Sequence, residues 1–232
     1  MAAMEISWFG ESCVRLKARE GTVAADAYRT ALGPTGRGLT ADIVTYSHAD
    51  NDLAAGGNGR KPAANARGAT SVLPPTSLDG AFALDGPGEY EVHGVLVTGV
   101  RTFRDDARGA ERGNNTSFVF ELDGIHVAHL GDIGHLLSDE MIGELGPVDV
   151  VCLPIGGALP PARAAELVAQ LDAKLVVPLP VGGELAGTES AMDRFLHEMG
   201  AQHPEPQPKL AVTISSLPQE TTLVVLEARA RV

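Results

Sequence analysis

A chain of 232 residues with 44% hydrophobic and 21% charged residues has ordinary globular composition and enough length to bury a sizeable core. Its formal charge of −12 discourages non-specific nucleic-acid binding, because affinity for phosphates comes from clustered Lys and Arg. No apolar run approaches the roughly 20 residues needed to span a bilayer, and Met1 to Ser12 carries no basic start or continuous apolar stretch, so no membrane segment or export signal is expected.

In chain order, residues 5–9, 13–17 and 22–26 alternate or run apolar over short lengths, with Gly10 and Gly21 as punctuation, and predict three antiparallel strands. Residues 29–41, rich in Gly, Pro and Thr, read as a loop. The strand Asp42 to Tyr46 then breaks into Ser47-His48-Ala49-Asp50-Asn51-Asp52-Leu53, a polar loop holding one imidazole and two carboxylates. Ligands at every second position after a strand end can turn toward one point, which is how a metal loop begins. Residues 54–69 have little periodicity and read as a surface turn or irregular loop, and 70–73 as a short strand stopped by Pro74-Pro75.

Pro87-Gly88 sets a tight turn, followed by pleated strands through Thr102. Arg101, Arg104, Arg108 and Arg112 then alternate with Asp105, Asp106 and Glu111, the pattern of a solvated mixed-charge loop. Asp123-Gly124 between the apolar runs 114–122 and 125–130 predicts a hairpin. Beyond Leu137 strands and helices alternate: a helix capped at Ser138 and ending at Leu145, a strand over 148–154, a helix over 160–171, a strand over 174–178 and a helix over 189–199. Residues 210–215 and 221–226 read as a final hairpin. Cys13 and Cys152, far apart in sequence, fit a reducing cytoplasm and read as small buried hydrophobes. With no long linker, residues 1–232 are expected to form a single domain. Its antiparallel-rich first half and strand–helix second half predict an α+β fold, an αββα sandwich of two mixed sheets flanked by helices.

Two strings are distinctive: Gly86-Pro87-Gly88-Glu89-Tyr90-Glu91-Val92, and His129-Leu130-Gly131-Asp132-Ile133-Gly134-His135. Following a His48-x-x-x-Asp52 loop, they resemble the Zn-dependent hydrolases of the metallo-β-lactamase fold, in the branch described as lactonase-like. The resemblance implies the same αββα sandwich. It also implies a two-metal site whose loop reads Ser-His-x-His-x-Asp-His, and it assigns His48, Asp52 and the metal-bridging Asp132 to ligand positions. Four other positions depart from the pattern: Asp50 and Leu53 stand where the loop's other histidines belong, Arg104 where a Tyr-His-Asp segment supplies one, and Pro180 where a Pro-Met-His-Tyr segment supplies the last. Glu11 likewise replaces a histidine in the opening Trp-x-Gly-His segment.

Asp50 can still coordinate through oxygen, whereas Leu53, Arg104 and Pro180 cannot ligate. The expected metal set is therefore His48, Asp50, Asp52 and Asp132, vestigial or holding a single ion, and one imidazole with three carboxylates leans toward Mg²⁺ or Mn²⁺ over Zn²⁺. Carboxylates about 4 Å apart repel by roughly 4 kcal/mol at an effective dielectric near 20. Convergence of these groups thus requires a cation or a proton. Arg104 is the candidate cleft cation, pairing with Asp52 or Asp132; a solvent-facing Arg104 is the alternative. His129 and His135 flank Asp132 as supporting or packed residues, and no Ser-His-Asp or Cys-His arrangement stands out.

The functional expectation is a cytoplasmic pseudoenzyme with a degenerate active site. It would bind an unidentified small molecule or protein partner, not nucleic acid or membrane, with no cofactor or one weakly bound divalent metal (Zn, Mn or Mg). The alternative is a hydrolase of an ester, lactone or phosphate-like substrate that uses a single metal at His48, Asp50, Asp52 and Asp132, with Asp52 as the catalytic carboxylate.

Overall fold

The structure, a computed structural model, describes residues 3–49, 72, 74–181 and 190–229. Asp50, Asp52 and Leu53 of the metal loop lie outside the described residues, as does the strand expected at 70–73 apart from Val72.

Strands β1 (Met4–Gly10), β2 (Cys13–Lys17) and β3 (Thr22–Ala25) form the expected antiparallel run. β4 (Ile43–Thr45) and β5 (Phe82–Leu84) then add in parallel. In the second sheet β6 (Gly88–Val92), β7 (Val95–Phe103), β8 (Asn114–Leu122) and β9 (Ile125–His129) form an antiparallel meander, with Leu122 opposite Ile125 across the Asp123-Gly124 turn. β10 (Val150–Ile155) and β11 (Leu175–Pro180) extend it in parallel.

The carboxy-terminal segments differ from the hairpin expected over 210–226. β12 (Leu210–Val212) pairs with β1 at the edge of the first sheet, and β13 (Thr222–Leu223) pairs with β11 at the edge of the second. Leu210, Val212, Val224 and Leu226 all bury into the core between the sheets, so this stretch closes one end of the sandwich and supplies a partner to each open edge. The strand orders are β12-β1-β2-β3-β4-β5 and β13-β11-β10-β9-β8-β7-β6.

The sheets stack because each presents an apolar face with the two-residue period of a strand. Met4, Ile6, Val14, Leu16 and Val23 of the first meet Val97, Phe118, Phe120, Val127 and Val177 of the second in one buried cluster. The outer face of the second sheet is covered by α2 (Asp139–Leu145), α3 (Pro161–Leu171) and α4 (Ala191–Glu198), through Leu145, Leu167, Val168, Leu171 and Phe195. Ser138 caps α2 by accepting from the Met141 N–H, and Ser190 with Asp193 makes a reciprocal box at the start of α4. The outer face of the first sheet packs on α1 (Arg29–Leu32), a short helix within the stretch expected to be loop, where Tyr28 and Leu32 are buried. These layers, helix, sheet, sheet, helices, are the αββα sandwich.

Cys13 and Cys152 are both free and buried; burial pushes the Cys152 thiol up to about 12 and, with the Asp26 charge adding to it, Cys13 further. Among the described residues no helix is long and apolar enough to cross a membrane.

Candidate functional site

The loops that leave β4, β7 and β9 converge on one end of the sandwich. β4 delivers Ser47 and His48, the segment after β7 delivers Arg104, the start of β8 delivers Asn115, and the turn after β9 delivers Asp132. The Thr116 N–H donates to the Ser47 carbonyl at 2.7 Å, which ties the His48 loop of one sheet to β8 of the other.

His48 is oriented from behind. Asp26, buried and in a left-handed conformation at φ 52°, accepts the Ser47 N–H and the Ser47 Oγ–H, both at 2.8 Å. The Ser47 hydroxyl has only one proton and spends it on Asp26, so its contact with His48 Nδ1 at 2.8 Å is an N–H donated by the ring. That tautomer puts the imidazole lone pair on Nε2. Tyr28 completes the brace, donating to the His48 carbonyl at 2.8 Å and accepting the His48 N–H at 3.0 Å. Burial, reinforced by the Asp26 charge, raises the Tyr28 phenol well above its usual value and keeps it a proton donor.

Asp132 is held as firmly. Its backbone N–H donates to Asn115 Oδ1 at 2.9 Å, while the Asn115 amide donates to Thr102 Oγ1 at 2.7 Å and to the Leu130 carbonyl at 2.9 Å. Gly131 turns the chain at φ 67°, and a Cβ there would fall 2.3 Å from Ser47 Cβ and 2.5 Å from Asn115 Oδ1. Only glycine fits between the two loops at that point.

Arg104 donates to Asp132 Oδ2 through Nε at 2.7 Å and to the Arg112 carbonyl through Nη1 at 3.2 Å, while Nη2 makes an ion-pair contact with the same Oδ2 at 2.7 Å. Both side chains are largely buried, 13% exposed for Arg104 and 16% for Asp132, so this pair works in a less screened setting than a surface ion pair. Arg112 sends a second guanidinium toward the same oxygen, at 3.8 Å. Its position is fixed by Asp105, whose carboxylate accepts the N–H groups of Ala107, Gly109, Glu111 and Arg112. Desolvation pushes the Asp105 carboxyl up, but these four donors together outweigh it and hold the group below its ordinary value.

A cavity of about 280 Å³ opens among Glu11, Ser12, Tyr28, His48, Arg112 and Asp132. His129 and His135 lie outside its lining. His129 is buried, with Nε2 2.7 Å from the Ser12 carbonyl on one wall of the cavity, and its Nδ1 has no hydrogen-bond partner among the described residues. His135 accepts the Phe103 N–H at 3.0 Å, donates from Nδ1 to the Leu136 carbonyl at 2.6 Å, and lines a separate cavity beside Phe103. Reasoning from sequence missed Asp26, Tyr28 and Asn115. Asn115 stood in view next to Arg112-Gly113-Asn114, but Asp26 meets Ser47 only through the pairing of β3 with β4.

Of the expected ligand set, His48 and Asp132 lie among the described residues, and both line the same cavity. Asp132 Oδ2 is already spent on guanidinium N–H groups, whereas Oδ1 takes no hydrogen bond among the described residues and lies where a Cβ on Gly157 would come within 3.1 Å. That missing Cβ leaves a cradle beside Oδ1. At the other positions that the resemblance assigns to ligands, Arg104 is itself a cation and Pro180 carries no donor atom.

A sequence model described as "Beta-lactamase superfamily domain" matches residues 5–180. A UPF0173 metal-dependent hydrolase of Methanoregula boonei is 30% identical over 159 residues, covering 66% of this chain and 70% of that protein. Another from Listeria innocua is 29% identical over 170 residues, covering 66% and 73%. Among solved structures, a protein of the metallo-β-lactamase superfamily from Thermotoga maritima superposes with a TM-score of 0.67 and 30% identity, over 96% of this chain and 98% of that one. The two-sheet sandwich and the placement of His48 and Asp132 at its loop end agree with that relationship, and the chain belongs to the metallo-β-lactamase superfamily, in the family whose relatives are named metal-dependent hydrolases.

Proposed function

We propose that the chain is a metal-dependent hydrolase reduced to a single divalent ion, acting on an ester, lactone or phosphate-like substrate. His48, Asp50, Asp52 and Asp132 would hold the ion, Asp132 through Oδ1. The observation that carries this reading is the division of labour on Asp132: Arg104 covers Oδ2, and Oδ1 remains beside the space left by Gly157. The relatives' description as metal-dependent hydrolases supports it independently.

A hard ion in this oxygen-rich set would supply Lewis-acid chemistry, activating water at neutral pH and polarising the scissile group. The remaining work falls to the chain itself. The Asp26–Ser47 pair keeps the His48 ring in one orientation and one tautomer, and Asn115 holds the backbone of Asp132. Arg104 supplies at Asp132 the positive charge that a second ion would otherwise bring. Asp52 is the carboxylate assigned to catalysis. We read residues 1–232 as one domain, supported by a core shared between the two sheets, and the compartment as the cytoplasm, supported by two free buried cysteines.

A second reading draws on the same contact. If Arg104 has replaced the metal outright, the chain is a pseudoenzyme with a degenerate site that retains the pocket for a ligand or partner. Hydrolysis assays separate the two, using p-nitrophenyl esters, lactones and p-nitrophenyl phosphate with Mn²⁺ or Mg²⁺ and with a chelator. The hydrolase reading predicts turnover that needs the ion and falls by about a hundredfold or more in Asp52→Ala. Equal rates with ion and with chelator, or no rate above buffer, favour the second.

A further inference from the structure

Arg104 and Arg112 face the same carboxylate, yet they are placed for different work. Every nitrogen of the Arg104 guanidinium has a protein acceptor, and the side chain is 13% exposed. Arg112 is held by its backbone instead: its N–H enters the Asp105 carboxylate at 2.6 Å and its carbonyl accepts from Arg104 at 3.2 Å. Its side chain is 47% exposed and lines the 280 Å³ cavity. The one ion-pair contact it makes among the described residues, 3.8 Å to Asp132 Oδ2, is too long for a hydrogen bond and falls on an oxygen already contacted by Nε and Nη2 of Arg104. The guanidinium fork is therefore anchored at its root and, among the described residues, left with its N–H groups unspent at the pocket.

We infer that Arg112 is the recognition residue for an oxyanion, a carboxylate or phosphate group carried by a small substrate or ligand. A planar fork of N–H donors matches either group with two parallel hydrogen bonds, and pre-anchoring lowers the ordering cost of binding. The cavity's volume suits a small molecule, not a polymer. Ser12 on the wall adds a polar group, while Glu11 and Asp132 repel an anion that is not aligned with the fork, which makes recognition position-specific. The inference deepens the hydrolase reading by naming its substrate class.

A reporter is built in. Trp8 is the one tryptophan in the sequence, and its indole N–H donates to the Glu11 carbonyl at 2.7 Å, on the turn that walls the cavity. The test is titration of chelator-treated protein with inorganic phosphate and, separately, with succinate, followed by Trp8 fluorescence and calorimetry. Variants are Arg112→Gln, Arg112→Lys and, as a control, Arg194→Gln, which is exposed on α4. The expected result is saturable binding of at least one anion, weakened on the order of tenfold in Arg112→Gln, less in Arg112→Lys, and unchanged in the control. Phosphate alone, succinate alone or both distinguish the two sources of oxyanion. Binding that Arg112→Gln leaves unaltered, or no binding of either anion to folded protein, overturns the inference.

Because this readout needs neither metal nor turnover, it fails separately from the hydrolase reading. Arg112-dependent binding in a protein that takes up no metal would remove the hydrolase and keep the anion site. Metal-dependent turnover with anion binding indifferent to Arg112 would do the reverse.

Discussion

Arg104 and Asp132 decide the character of the pocket, because a carboxylate with a guanidinium on one oxygen presents far less negative charge than the same carboxylate alone. Removing one partner of such a pair costs about 3–5 kcal/mol in buried settings, chiefly because the other charge is left without a counter-ion. Arg112 stands near enough to compensate in part, at 3.8 Å. Asp105 supports both arginines from below, since its four backbone donors shape the 105–112 loop. Its carboxyl lies below the ordinary value, so its stabilising contribution is complete above about pH 4 and is lost as pH falls through the lowered value. Hydrogen exchange of the Ala107, Gly109, Glu111 and Arg112 amides should accelerate sharply below pH 4 in the wild type. In Asp105→Asn it should be fast at every pH, and slow exchange there would show that the carboxylate is not the loop's organiser. From sequence the interleaved acids and bases of this segment read as solvated surface; Asp105 is in fact 6% exposed, and nothing in composition shows that a carboxylate will turn inward to collect N–H groups.

At the scale of elements, the site depends on how closely the Arg104 segment lies against the turn that carries Asp132. The Gly134 N–H donates to the Phe103 carbonyl at 2.9 Å, and a Cβ on Gly134 would meet the Arg104 carbonyl oxygen at 2.2 Å. That neighbour is backbone and cannot rotate away. Gly134→Ala should therefore push Arg104 off Asp132 and destabilise the fold by about 1–3 kcal/mol, as overpacking does, with a measurable fall in denaturant midpoint. An unchanged midpoint would mean that the two segments are free to separate. The β-meander, the Asp123-Gly124 turn, α2 with its Ser138 cap and α4 were legible because periodicity and capping are local. The fate of residues 210–226 was not. Two apolar segments around Pro218 look like a hairpin, and only the presence of two open sheet edges sends them apart.

For the whole molecule, a net charge of −12 makes an arginine at the pocket conspicuous and slows the approach of anions, so an anionic ligand must be held by local geometry, not long-range steering. The strings around Gly86–Val92 and His129–His135 made the fold and its superfamily readable before any coordinates. They placed Asp132 and Arg104 along the chain, but which way Arg104 points depends on its packing against Gly134 and Arg112, which a motif does not encode. The central claim is that Asp132 with Arg104 on one oxygen still serves a single ion. It is tested most directly by elemental analysis of wild type and Asp132→Ala after dialysis against Mn²⁺, Mg²⁺ and Zn²⁺. The account predicts about one equivalent of metal in the wild type and a loss of most of it in Asp132→Ala. Less than about a tenth of an equivalent in folded wild type, or two equivalents, would contradict it.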